Sequence, residues 1–236
     1  MVSQERAMSG PRSPGRSSGA RPPYSQPADS RRPYGAHRFD VFSIKAGRRL
    51  TLYGRAALNL WIHLEMDPAV TNLCERPLVL QDGKPRRIID FWARGNGADR
   101  LILLVRDFDS EPKVRQNGAD QLTAFRIWAA DVGCTVEEVS APEDEGYALD
   151  NLMILLQYCS SYQSTLTDSI LHRASQALVE SMPVARLIEA LGGAKGNEDA
   201  DDVLRAAAYD LVRRGRAKIP QLESTRLHDG LEIAPI

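Results

Sequence analysis

Between Leu52 and Arg106 the hydrophobic period is helical first and extended afterwards, which confines this stretch to one helix followed by a small sheet. Leu58, Trp61, Ile62 and Leu64 fall near i, i+3, i+4 spacing and mark one buried helix face. Trp61 reads as core on that face. Three apolar runs follow: NLCERPLVL, then KPRRIIDFWAR carrying Asp90, then RLILLVRDF after a Gly-containing turn. Next comes a polar segment, DSEPKVRQNGA, and a helix of about 15 residues with Leu122, Phe125, Trp128 and Val132 on one stripe. Gly133 stops that helix, and Thr135–Val139 reads as a last strand. A helix between two strands is the crossover of an α/β sheet.

Upstream, residues 38–53 alternate as two short strands around Ala46-Gly47, and Lys45, Arg48, Arg49 and Arg55 cluster just before the helix. A basic hairpin of this kind suits phosphate contacts, with a merely solvated hairpin as the alternative. The net charge of −1 conceals an asymmetry: the first 55 residues carry eleven Lys or Arg against three Asp or Glu, and the rest is acidic. A basic front end acts on phosphates without reading base sequence. Residues 1–36 hold almost no aliphatic side chains and read as a disordered basic tail, either a DNA-contacting arm or an inert leader.

With 43% hydrophobic and 26% charged residues the composition is that of a globular protein. No apolar run reaches the roughly 18–20 residues of a membrane helix, and the N-terminus carries no apolar signal region. Cys74, Cys134 and Cys159 read as reduced, buried thiols of a cytoplasmic protein. The four histidines share no ligand spacing with each other or with cysteine, which speaks against structural zinc.

The ordered elements carry a resemblance. Met66-Asp67-Pro68-Ala69-Val70 after the helix, Glu75-Arg76-Pro77, Ile89-Asp90-Phe91 and Leu104-Val105-Arg106 resemble the endonuclease subunit TnsA of heteromeric transposases, a relative of the PD-(D/E)XK restriction-endonuclease fold. Ser43-Ile44-Lys45-Ala46-Gly47-Arg48 matches the family's S-x-K-x-GR pattern. The resemblance implies residues 37–142 as an α/β endonuclease-fold domain, a mixed sheet flanked by helices. It implies 143–236 as a mainly α, winged-helix-like domain in which LRAAAYDLVRRGRAKIP matches the family signature. Implied partners are DNA, the DDE transposase subunit and the AAA+ ATPase regulator.

The same resemblance locates a loss. The family's first catalytic glutamate lies ten residues before the Asp of the DP pair, and here that position is Ala57. Its second acid is kept as Asp90. Its third element, an acid or glutamine followed two positions later by lysine, reads Leu104 and Arg106. Mg²⁺ or Mn²⁺ wants several oxygen ligands, so Asp90 alone makes a weak or absent site. Arg106 can hold a phosphate but cannot shed a proton to activate water. Glu65 lies about 80° around the helix and roughly 12 Å along it from Ala57, out of phase as a substitute. Asp107 has the wrong strand parity.

The sequence therefore predicts a transposition protein with an endonuclease fold and an impaired metal site, acting in DNA binding and assembly. Catalytic residues would be Asp90 and Arg106, and DNA contacts Lys45, Arg48, Arg49, Arg55 and Arg106. Two alternatives stand beside it: an active metal-dependent endonuclease cutting 5′ transposon ends, and a winged-helix DNA-binding regulator. Glu198, Asp199, Asp201 and Asp202 open the last long helix, where phosphates would be repelled and the helix dipole favours acids. That favours a protein-contact role for the C-terminal domain.

Overall fold

The computed structural model describes residues 24–80, 87–105, 112–142, 146–193 and 198–236. An antiparallel hairpin, β1 (Arg38–Ser43) and β2 (Arg48–Tyr53), leads into helix α1 (Arg55–Met66) through Gly54, whose φ of 88° is left-handed. Inside the hairpin Leu50 and Leu52 are buried against α1 with Phe39 and Val41 beside them, so every second residue serves the core.

Strand β3 (Val70–Glu75) follows, then a two-stranded ribbon of β4 (Val79–Leu80) and β5 (Arg87–Ile88), then β6 (Phe91–Gly95) and β7 (Ala98–Val105). Helix α2 (Pro112–Asp131) crosses over to β8 (Cys134–Ser140). The sheet runs β3-β6-β7-β8, antiparallel except for the parallel β7–β8 pair. Leu101, Ile102, Leu103 and Leu104 are all buried, because both faces of β7 are covered. Ile102 and Leu104 face α1; Leu101 and Leu103 face α2 through Leu122, Phe125 and Ala129. The α/β sheet flanked by helices is thus present. Helix α2 begins earlier than its polar first turns suggested, at Pro112.

Beyond it lie α3 (Ala148–Ser161), α4 (Asp168–Ala177), β9 (Met182–Pro183), α5 (Val184–Ala190), α6 (Glu198–Arg213), β10 (Ala217–Lys218) and β11 (Glu232–Pro235). The last three strands form an antiparallel sheet in the order β10-β11-β9. These elements share a second core built on Leu155, Leu171, Leu187, Tyr209 and Ile233. Helix α3 serves both cores: Leu149 and Leu156 pack with α1, while Leu155 and Cys159 pack with α6. Helix α3, just past the boundary expected near residue 142, thus contributes to both cores.

Residues 24–36, expected to be unstructured, lie on the body as a strap. The Tyr24 ring meets Trp92 edge-on at 5.9 Å, the Ala28 N–H donates to the Arg76 carbonyl, and the Tyr53 hydroxyl donates to the Ser30 carbonyl. Residues 1–23 of the expected tail are outside the described residues.

Candidate functional site

The turn that closes α1 has a physical cause in its Asp-Pro pair. The Asp67 carboxylate accepts from the Ala69 N–H at 2.9 Å, which leads the chain directly into β3. Lys45 clamps the same turn: its ammonium donates to the carbonyls of Leu64 and Asp67 at 2.7 and 2.5 Å. Burial lowers its pKa to about 8. Close by, Gly95 of β6 passes the turn so tightly that a Cβ would run into the Ala69 carbonyl.

Ala57 and Asp90 line one cleft, together with Glu75, Arg76, Phe91, Tyr53 and Pro33 of the strap. The Asp90 carboxylate accepts from the Leu104 N–H at 2.8 Å. Ala57, Asp90 and Leu104 thus lie together, with a carboxylate at one of the three. The hydrogen bond also has an ordinary structural reason. The β6–β7 ladder ends at Phe91 opposite Ile102, and Leu104 needs an acceptor where β6 has stopped. Asp90 supplies it.

Glu65 is fully buried. Its carboxylate accepts from the Ser43 hydroxyl at 2.7 Å and from the Lys45 N–H at 2.9 Å. It ties the hairpin turn to α1 and is engaged away from the Ala57 position. Arg106 and Asp107 lie outside the described residues, so their expected roles have no placement here.

Glu75 is the carboxylate that sequence reasoning passed over. Its side chain is 3% exposed and lines the cleft beside Asp90. Arg48 holds it in a two-pronged pair, Nη1 to Oε1 at 2.9 Å and Nη2 to Oε2 at 2.6 Å. Nη2 also reaches the buried Cys74 sulfur at 3.4 Å. The Glu75-Arg76-Pro77 string held the signal, but its partner is 27 residues away.

The predicted basic set divides accordingly. Lys45 and Arg48 point into the fold and are committed to internal partners. Arg49 and Arg55 are exposed. Arg76, buried with a left-handed φ of 47°, donates to the Arg31 carbonyl at 2.7 Å and lies 5.0 Å over the Tyr53 ring. Such backbone strain is held only where surrounding contacts over-determine it.

Among the described residues no group of three or more His, Cys, Asp or Glu is placed to hold a metal ion. The three cysteines are free and buried, and burial raises all three thiols, Cys74 to about 12. No described helix is long and apolar enough to cross a membrane. No family model matches this chain, and comparison with curated proteins returns no match.

Proposed function

We propose that this chain is a TnsA-like DNA transposition protein whose endonuclease fold binds DNA and assembles partners without cutting. One observation carries the reading: Ala57 and Asp90 line a single cleft, and Leu104 is bonded to the Asp90 carboxylate. The order of helix and strands around that cleft is the order the resemblance implies, and the oxygen ligands a hard cation needs are reduced to one at those positions.

The C-terminal half is read as a winged helix. Its order α4, β9, α5, α6, β10, β11 and its sheet order β10-β11-β9 support this. On this reading α6 would be the recognition helix, yet Ala206 through Leu211 are six consecutive buried residues. Six residues pass more than once around a helix of 3.6 residues per turn, so the middle of α6 presents no free side to a groove. Its first turn carries Glu198, Asp199 and Asp201. Both facts support a protein-contact role, with the AAA+ ATPase regulator and the DDE transposase subunit as the partners implied by resemblance. A winged-helix regulator reading Lys218 and its neighbours onto DNA is less well supported.

An active nuclease is the second reading, and Glu75 is what favours it, as a second carboxylate in the Asp90 cleft. Against it, both Glu75 oxygens are engaged by Arg48. Titration calorimetry with Mn²⁺ should give no site at millimolar metal. Transposon-end DNA should remain uncut by full-length protein with Mg²⁺ or Mn²⁺ and its partners. Nicking that is lost in both Asp90→Asn and Glu75→Gln would replace the first reading with the second. Asn is the right substitution because Asp90→Ala also strands the Leu104 N–H, at a cost of roughly 1–3 kcal/mol.

A further inference from the structure

The strap and the outer face of the β1–β2 hairpin enclose a second cleft of about 300 Å³, with Arg38, Arg48, Arg49 and Arg76 set against Asp29 and Glu75. These arginines are not equivalent. Arg48 is closed on Glu75, and Arg76 is bound to the strap through the Arg31 carbonyl. Arg38 is steadied by Asp40 at 3.1 Å and leaves 56% of its side chain exposed. Arg49 is exposed, and its guanidinium forms no hydrogen bond or ion pair among the described residues.

Strand pairing places these two with aromatic rings. Arg38 is opposite Tyr53 and Phe42 is opposite Arg49, and directly opposed residues share a face. That face points away from Leu50 and Leu52, which are in the core. Phe42 is 37% exposed there. A simple anion has no use for an exposed ring. A nucleic acid strand offers both phosphates for planar guanidinium forks and bases for ring faces. Asp40, on the same face, orients Arg38 and limits the positive charge.

We infer that this cleft and hairpin face bind the phosphodiester backbone of a nucleic acid strand, with Arg49 and Arg38 on phosphates and Phe42 against a base. The inference rests on the nucleic-acid reading above and moves the contact away from Lys45, Arg48 and the Ala57–Asp90 cleft.

The test is fluorescence anisotropy of the full chain with labelled single-stranded and duplex oligonucleotides across a salt series. Arg49→Gln should weaken binding and lower the slope of log K against log salt by about 1, and Arg38→Gln/Arg49→Gln by about 2. Phe42→Ala should weaken single-strand binding more than duplex binding. Arg186→Gln, exposed on α5, should leave affinity and slope unchanged. Circular dichroism on each variant separates loss of contact from loss of fold. Wild-type protein that binds neither oligonucleotide would overturn the nucleic-acid reading itself. Wild-type binding with an unchanged slope in the double variant would overturn this site and leave that reading standing. Displacement of the strand by an equimolar mononucleotide would make the ligand a free nucleotide and also overturn the proposal.

Discussion

Lys45 has a cationic head but sits among backbone carbonyls, and the cost of removing it from water exceeds what Glu65 and Asp67 return. Burial is the largest influence on its pKa, the charge of Arg213 acts in the same direction, and the two carboxylates oppose them. The result is a fall from the ordinary 10.5 to about 8. The folded protein thus gives up this proton at lower pH than the unfolded chain does. Below about pH 8 both states hold the proton, and Lys45 adds no slope to stability. From pH 8 to 10.5 the unfolded chain holds more protons, so stability rises with pH across that window. Lys45→Met removes the titration. Urea unfolding across pH 7 to 11 should show wild type gaining on Lys45→Met through the window. Parallel curves would mean the ammonium is solvated after all. The sequence marked Lys45 as a surface cation because a short basic run carries no sign of which member turns inward.

At the scale of elements, the loop between β10 and β11 is fixed by one residue of α3. Asn151 is fully buried; its Nδ2 donates to the carbonyls of Leu222 and Thr225 at 2.7 Å each, and its Oδ1 accepts from the Leu227 N–H at 2.8 Å. Asn151→Ala leaves three backbone groups to find water, a loss of roughly 2–4 kcal/mol. Hydrogen exchange at the Leu227 amide should accelerate in step with that loss; protection equal to wild type would show that the loop holds itself. Asn151→Asp keeps the acceptor but sets a charge against two carbonyls, so it should fare no better than alanine. Elements with a periodic face were legible: α1, β7 and β8 lie within a few residues of where spacing put them. Those pinned by single contacts were not. Strand β9 has two residues and no period, and Pro183 both pairs with Glu232 in the sheet and caps the start of α5. The strap is held by Tyr24, Asp29 and a few backbone bonds, none of which forms a pattern in sequence. Ala57 and Asp90 were linked in the sequence only through the resemblance, whereas the Arg48–Glu75 pair required knowing which strand edges meet.

Across the whole molecule the two cores are coupled through side chains that belong to both. Met66 at the end of α1 packs against each of them, and α3 divides its apolar positions between them. Asn59 of α1 donates to the Pro142 carbonyl at 3.2 Å, and a Cβ at Gly215 would come within 2.8 Å of the Pro68 ring. The DP turn of the first half and the end of α6 in the second are therefore in contact. Losing either core exposes half of α3, which couples the stability of one to the other. Calorimetry should show one transition with equal calorimetric and van't Hoff enthalpies. Leu156→Ala empties a site in the first core and should cost about 2–5 kcal/mol. If the coupling holds, that substitution lowers the single transition as a whole. A split into two peaks, with the later one unmoved, would mean the halves fold separately and α3 is a linker. The outcome bears on the proposed function: a partner engaging α6, as proposed, would act on the Ala57–Asp90 cleft through a molecule that behaves as one cooperative unit.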